Sequence, residues 1–338
     1  MPSADPRPVA SRGVLSVAEL ARGVRGRDRA MLGMAISLIE STRPGDEPRA
    51  AELLALLARE TGGSTRVGIT GVPGAGKSTF IERCGVMLCR QGKRVAVLAI
   101  DPSSTVSGGS ILADRTRMPQ LSAHPNGFVR PSPTRGTLGG VARRTRDAIL
   151  LCEAAGYDVV LIETVGVGQS ETAVGDMCDC FLLLAIPGAG DELQGMKRGV
   201  LERVDVIAVN KADSGQESRA KNAANALSLT THLMHRDSPP IAVTTCSAAT
   251  GAGVEEVWRL IEQRMEWLHG EGRLEARRRK QDLRWLETLL AEQLAQLIER
   301  MPAAREALHN ARQEVSAGRI TPAEAVAGVM RVVEGGLK

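Results

Sequence analysis

The chain is 338 residues long, with 43 Lys and Arg against 39 Asp and Glu and a formal net charge of +4. That mild basic balance does not call for nucleic acid, and at 2% aromatic residues the stacking platforms of single-strand binders are largely missing. No stretch approaches the roughly 18 apolar residues of a membrane span, so neither a nucleic acid nor a membrane is expected as a partner. The six Cys are dispersed along a long chain, which reads as a reduced, cytoplasmic protein rather than a disulfide framework.

Residues 1–12 carry Pro and Arg without the apolar region of a signal peptide and read as disordered. Residues 13–60 read as an N-terminal helical extension, making 1–60 the first segment of the chain. Ser16 and Glu19 are spaced as a capping box, and Met31, Ile36, Leu38 and Ile39, then Leu53, Leu54, Leu56 and Leu57, recur at helical spacing. The turn cluster Thr61-Gly-Gly-Ser-Thr65 ends this part.

Over 61–269 the pattern changes to short apolar or β-branched runs alternating with helical stretches. Strands are expected at 66–70, 94–100, 158–163, 181–186, 204–209 and 241–246. Near-continuous apolar strands separated by helices indicate an α/β fold, a mostly parallel sheet covered by helices on both faces. Ligands of such sheets bind beyond the carboxyl ends of the strands. Residues 270–338 read as a C-terminal helical arm. Its stripe of Leu283, Leu286, Leu289, Leu290, Leu294 and Leu297 packs either on its own domain or on a second subunit. Thr321-Pro322-Ala323-Glu324 joins a capping box to proline at the first helical position. The basic run Arg277–Lys280, flanked by Glu271, Glu275 and Asp282, reads as a solvated helix face.

Two motifs carry the chemistry. Behind the apolar run 67–70 stands Gly71-Val-Pro-Gly74-Ala75-Gly76-Lys77-Ser78-Thr79, the phosphate-loop pattern in its strand–loop–helix context. Its glycines let backbone N–H groups turn inward, and the following helix aims its positive end at the phosphates. Lys77 can reach the β- and γ-phosphates, and the Ser78 hydroxyl can bind Mg²⁺. The second motif, Asn210-Lys211-Ala212-Asp213, follows another buried-strand run and reads guanine. A carboxylate at Asp213 accepts from guanine N1–H and its amino group, donors that adenine does not present, and sites of this kind discriminate by roughly 10⁴–10⁵-fold. Lys211 would lay its aliphatic stem along the base, and Ser247-Ala248 matches the short loop that meets the guanine oxygen. The expected ligands are therefore GTP and GDP with Mg²⁺, on a P-loop NTPase fold.

Acids at the ends of the second and third strands, Asp101 and Glu163, can hold Mg²⁺ directly or through its waters, and Asp114 is a third candidate. Gly166 can place an N–H near the γ-phosphate. Ras-like enzymes carry a water-orienting Gln straight after that glycine; here Val167 stands there and Gln169 follows two residues on. Slow intrinsic hydrolysis is therefore expected, with the missing groups supplied by a partner or a moving loop.

Asp101-Pro-Ser-Ser-Thr105, Gly108-Gly-Ser-Ile-Leu112, Arg130-Pro-Ser-Pro133, Gly136-Thr-Leu-Gly-Gly140, Glu163-Thr-Val-Gly-Val-Gly-Gln-Ser-Glu171 and Pro187-Gly-Ala-Gly-Asp-Glu-Leu-Gln-Gly195 together resemble the G-protein chaperones of methylmalonyl-CoA mutase, the MeaB/ArgK type. The resemblance runs from about residue 30 to 300. It implies GTP hydrolysis coupled to the care of an adenosylcobalamin-dependent acyl-CoA mutase, gating cofactor delivery from an adenosyltransferase and protecting or reactivating the mutase. It implies a homodimer joined through the C-terminal arm. It places Ser78, Asp101, Asp114 and Glu163 around Mg²⁺, and makes 187–198, with Asp191, Glu192, Gln194 and Lys197, a loop that relays the partner's state. Lys77, Glu163, Gln169 and Lys197 are then the candidate catalytic residues. Corrinoid carriers present a His within Asp-x-His-x-x-Gly. None of His124, His232, His235, His269 and His309 has that setting, so the corrinoid is expected on the partner and not on this chain.

Three other readings stand beside this one. A metal-delivery GTPase for nickel, cobalt or zinc would need a Cys/His set near the nucleotide, for which Cys178-Asp179-Cys180 is the candidate: Cys180 reads as core and Cys178 as a loop thiol. His232 and His235 read as a solvated helix face. An ATP-dependent kinase or transport ATPase is opposed by Asp213. A scaffold that only binds GTP is opposed by the intact Lys77, Ser78 and acids.

Overall fold

The computed structural model describes residues 15–43, 45–101, 118–133, 138–164, 170–188, 202–231 and 239–336. The chain divides into two compact units, Met1–Leu274 and Glu275–Lys338.

The first unit is built on a seven-stranded, wholly parallel sheet: β1 (Thr65–Thr70), β2 (Val95–Asp101), β3 (Gly127–Pro133), β4 (Val159–Thr164), β5 (Cys180–Ala185), β6 (Val206–Val209) and β7 (Ala242–Thr245), in the order β3-β2-β4-β1-β5-β6-β7. The expected sheet is present, and each of the six expected strands matches one of these within two residues. β3 is an addition. Pro131 and Pro133 remove backbone donors and hide it from a reading based on apolar runs, and the same loss confines such a strand to an edge, where β3 lies.

Alternate side chains of each strand enter opposite hydrophobic layers, which is why the runs are apolar throughout. Val67, Ile69, Val97, Leu161, Leu182 and Ala208 face one layer; Leu98, Ile100, Val160, Phe181, Leu183 and Ile207 face the other. The first layer is closed by α4 (Lys77–Arg90), α5 (Pro119–Ala123) and α9 (Val254–His269). The second is closed by α6 (Leu138–Ala154), α7 (Ser170–Gly175) and α8 (Glu217–Thr231), together with the N-terminal helices α1 (Val17–Arg25), α2 (Arg29–Ile39) and α3 (Asp46–Leu57).

The N-terminal helices share one core with the sheet. Leu20, Leu32, Ile36, Leu53 and Leu57 are buried in the same cluster as Phe128 and Ile149. The Ser16 box forms as read: Glu19 N donates to Ser16 Oγ at 3.2 Å, and Ser16 N donates to Glu19 Oε2 at 2.8 Å. At the amino ends of the strands Arg66 pairs with the fully buried carboxylate of Glu153 at 2.8 Å, and Glu153 also accepts from Gly62 N.

The second unit comprises most of α10 (Arg273–Arg300), with α11 (Pro302–Ser316) and α12 (Pro322–Gly336). Ala304, Val329 and Val333 form its small core with Ile298, Met301 and Leu308 around them. Thr321 and Glu324 make the expected capping box, Glu324 N to Thr321 Oγ1 at 3.2 Å and Thr321 N to Glu324 Oε2 at 2.8 Å. Of the α10 stripe, Leu283, Leu286, Leu290, Leu294 and Leu297 are exposed.

Candidate functional site

The strand order places β1 at the centre: the chain first lays β2, β3 and β4 on one side, with β4 inserted between β1 and β2, and then β5, β6 and β7 outward on the other. That reversal is the place where a parallel sheet opens a crevice at its carboxyl edge. The phosphate loop leaves β1 there. Gly71 has φ +151, and a Cβ on it would collide with the carbonyl oxygen of Leu184 on β5, so this position takes glycine alone. Gly74 and Gly76 also hold positive φ, Ala75 N donates to Val72 O at 3.1 Å, and Gly76 is the left-handed N-cap of α4. The first turn of α4 therefore opens onto the crevice.

Lys77 lies folded over this loop, its Nζ donating to Gly71 O at 2.7 Å and Val72 O at 3.1 Å. Ser78 Oγ donates to Glu163 Oε1 at 2.7 Å, bringing together a residue of α4 and the end of β4 that are 85 positions apart. Glu163 is nearly buried, and beneath it Thr164 Oγ1 donates to Thr70 Oγ1 at 3.1 Å, tying β4 to β1. A hydroxyl beside a carboxylate is an oxygen-only donor set, and it fits a hard divalent cation such as Mg²⁺. Among the described residues no group of three His, Cys, Asp or Glu side chains gathers as a metal site. The backbone of Asp101 ends β2 at the same edge of the sheet. The Asp101 side chain and all of Asp114, Gly166, Gln169, Asp191, Glu192, Gln194 and Lys197 lie outside the described residues, as do His232 and His235.

Asn210 organises the loops beside the phosphate loop. Its Nδ2 donates to Ala75 O at 2.7 Å, and its Oδ1 accepts from Ala248 N at 2.9 Å and from the Cys246 thiol at 3.6 Å. One buried amide thus joins the phosphate loop, the end of β6 and the loop after β7. The Ala248 amide, in the loop whose backbone was expected to meet the guanine oxygen, is engaged by Asn210 in this arrangement. Burial pushes the Cys246 thiol up to about 12, which keeps it a neutral donor. Ser247 Oγ accepts from Thr250 N at 3.2 Å and shapes the turn that follows. Lys211 has φ +62, and Ser214 Oγ donates to Asp213 Oδ2 at 3.2 Å.

Gly76, Thr79, Asn210, Lys211, Asp213 and Ala248 line one cavity of about 360 Å³, to which Gln216 also contributes. Every described residue read from the sequence as base-binding reaches this cavity except Ser247, which stands beside it. Sequence reasoning missed Gln216, Thr70, Thr164 and Cys246. The first follows Asp213 by three residues and was within reach of a local argument. The other three act through contacts made across strands.

Cys178 departs from expectation. It lies in the loop between α7 and β5, as expected, but it is fully buried, as is Cys180, and its thiol lies toward Gly175 O at 3.7 Å, so it packs as a core residue. Asp179 between them accepts from Arg66 N at 2.9 Å.

A parallel sheet whose central strand feeds a phosphate loop, with an Asn-Lys-x-Asp corner on the same edge, defines a P-loop GTPase. Residues 32–303 match the family described as methylmalonyl Co-A mutase-associated GTPase MeaB, and the chain belongs to that family. It is 49% identical to a protein of Mycobacterium bovis described as a probable GTPase, over 93% of this chain and 94% of that one. It is 44% identical to GTPase ArgK of Escherichia coli, over 82% and 85%. It is 44% identical to the mitochondrial methylmalonic aciduria type A homolog of Mus musculus, over 89% and 75%. Among solved structures it resembles one described as LAO/AO transport system kinase, with a TM-score of 0.77, 34% identity, and coverage of 94% of this chain and 97% of that one. The chain is a GTPase of this family. No helix among the described residues is long and apolar enough to cross a membrane.

Proposed function

We propose that this GTPase is a chaperone that gates adenosylcobalamin delivery to an adenosylcobalamin-dependent acyl-CoA mutase, methylmalonyl-CoA mutase or a close relative, and protects or reactivates it. The observation that carries this reading is the match of residues 32–303, a span that includes the phosphate loop and the Asn210–Asp213 motif, to a family described by its association with that mutase. An adenosyltransferase is the source of the cofactor in this scheme, and the corrinoid stays on those partners.

In the proposed site the phosphate loop and Lys77 bind the β- and γ-phosphates, Thr79 and Asn210 to Asp213 with Ser247-Ala248 hold the nucleoside, and Ser78, Asp101, Asp114 and Glu163 hold Mg²⁺. The metal would neutralise phosphate charge. Lys77 and Glu163, with Gln169 and Lys197 from loops brought in by the partner, complete the hydrolytic site. The 270–338 arm joins two copies, a role supported by the row of exposed leucines on α10.

The test is GTP turnover by the purified protein alone and with candidate mutases. Stimulation by one mutase, with GTP preferred over ATP, supports the chaperone role and names the client. Turnover above about 1 s⁻¹ for the lone protein would overturn the partner-dependent mechanism, since unassisted rates near 10⁻⁴–10⁻² s⁻¹ are typical. Normal GTP turnover unaffected by any mutase would overturn the chaperone role.

A further inference from the structure

The turn that follows Asp213 sets a second polar side chain against the base cavity. Gln216 N donates to Asp213 O at 3.0 Å, and the two residues between them, Ser214 at φ +53 and Gly215 at φ +82, both hold positive φ. That is the pattern of a tight primed turn, in which the first and fourth Cα atoms stand within about 7 Å of each other. Asp213 and Gln216 are therefore neighbours by backbone geometry, and both line the cavity.

The backbone of Gln216 serves the fold: its carbonyl accepts from Ala220 N at 2.8 Å at the start of α8. Its half-buried side chain is engaged elsewhere. Arg219, in the first turn of α8, donates from Nη1 to Gln216 Oε1 at 3.1 Å. A guanidinium has donors only, so this contact settles which end of the carboxamide is which. Oε1 is taken by Arg219, and Nε2, with two N–H donors, is the end left to offer. Among the described residues Nε2 has no acceptor. Its polar neighbours in the cavity are already committed. Asn210 uses both ends of its amide, and Ser214 Oγ donates to Asp213.

The chemistry of guanine narrows what Nε2 can meet. In the proposed site Asp213 accepts from N1–H and the 2-amino group. N1 is flanked on one side by the O6 carbonyl, assigned to the Ser247-Ala248 loop. The 2-amino carbon is flanked on the other by N3, an acceptor, and beyond N3 comes the ribose with its 2′-hydroxyl. N7 lies across the ring, beside O6. The acceptors left for a donor next to Asp213 are thus N3 and the 2′-oxygen.

We infer that Gln216 is a specificity-determining residue that touches the nucleoside: oriented by Arg219, its Nε2 donates to an acceptor on the sugar edge of guanine, N3 or the ribose 2′-oxygen. The inference rests on the guanine reading of Asp213.

The test measures affinities of the full-length protein for GDP, 3-deaza-GDP, 2′-deoxy-GDP and ADP by calorimetric titration. The parent is compared with Gln216→Ala, Gln216→Glu, Arg219→Ala and the Gln216→Ala/Arg219→Ala pair. The parent is expected to bind one of the two guanine analogues about three- to tenfold more weakly than GDP, the scale of one hydrogen bond between neutral groups. Gln216→Ala should weaken GDP by the same factor and leave that analogue unchanged, and which analogue it is names the acceptor. Gln216→Glu keeps the length and replaces the donors by acceptors. It should show the same pattern with a larger loss, and it carries the test if Gln216→Ala does not fold. Arg219→Ala should cost less than Gln216→Ala and add nothing further in the pair; full additivity overturns the orienting role of Arg219. An unchanged GDP affinity in the Gln216 variants overturns the inference. So does an equal loss for GDP and both analogues, which would mark support of Asp213 and not contact with the nucleoside. A parent that binds ADP as tightly as GDP overturns the guanine reading of Asp213 and the inference with it.

Discussion

The side-chain amide of Asn210 donates to the carbonyl of Ala75, 135 residues earlier in the chain, at 2.7 Å. The same side chain accepts from Ala248 N, so three separate loops are tied through one buried amide. Asn210→Ala leaves the Ala75 carbonyl and the Ala248 amide without their partner, at a cost of about 1–3 kcal/mol for each group that water does not reach. The variant is expected to unfold at lower temperature and to bind GDP at least about tenfold more weakly. Calorimetric titration with GDP and a thermal melt check both.

Asp213 stands in the base cavity with no charge-neutralising partner required for its proposed role, because a carboxylate accepts both guanine donors. Asp213→Asn converts one acceptor into a donor. Affinity for GTP should drop by about a hundredfold or more, and affinity for the xanthine nucleotide, which offers a carbonyl where guanine has its amino group, should rise. Competition between GDP and XDP on the parent and the variant measures the exchange. Unchanged preference would place guanine recognition elsewhere.

Asp147 on α6 sits against the interior, and burial raises its carboxyl to about 6, only partly offset by Arg143 and Arg146. A carboxyl raised on folding binds its proton more tightly in the folded chain. Its contribution to stability is thus full below pH 4 and is lost as pH rises through about 6. Asp147→Asn removes the cost of the buried charge. The variant should be more stable than the parent by up to about 3 kcal/mol at pH 7–8, with the gap closing toward pH 4. Denaturant unfolding at pH 4.5 and 7.5 gives the two differences. A gap that grows toward acid would show the shift to have the opposite sign.

Leu286 and Leu290 are 61% and 59% exposed on α10, one turn apart within the apolar row. If the arm joins two copies, Leu286→Glu with Leu290→Glu should convert the dimer to a monomer and leave GDP affinity within about twofold, since exposed substitutions away from special features cost little in the single chain. Sedimentation of parent and variant decides it. A parent that sediments as a monomer at micromolar concentration removes the arm from the assembly.

The phosphate loop, the Asn-Lys-x-Asp corner and most of the sheet were legible because each is a local pattern. Gly71 to Thr79 must be contiguous to wrap a phosphate, and β1, β4, β5 and β6 are apolar throughout because both their faces are covered. β3 was not among the expected strands because Pro131 and Pro133 break its apolar pattern, and its pairing with β2 makes it a strand. The burial of Cys178 was not legible because nothing in its neighbours along the chain announces that Gly68 and Val174 enclose it; Val174 and the Cys178 thiol both crowd the place where a Gly68 side chain would stand.

The residues by themselves determined the chemistry available to this protein: a phosphate loop, an Asn-Lys-x-Asp corner and hard oxygen donors, all set by short spacings. Tertiary structure decided how those groups are held. Ser78 meets Glu163 across 85 positions, Asn210 meets Ala75 across 135, and Ala248 meets Asn210 across 38. Such contacts leave no periodic or local trace, because the energy that fixes them comes from burial of the whole sheet and its helices and not from the segments that touch.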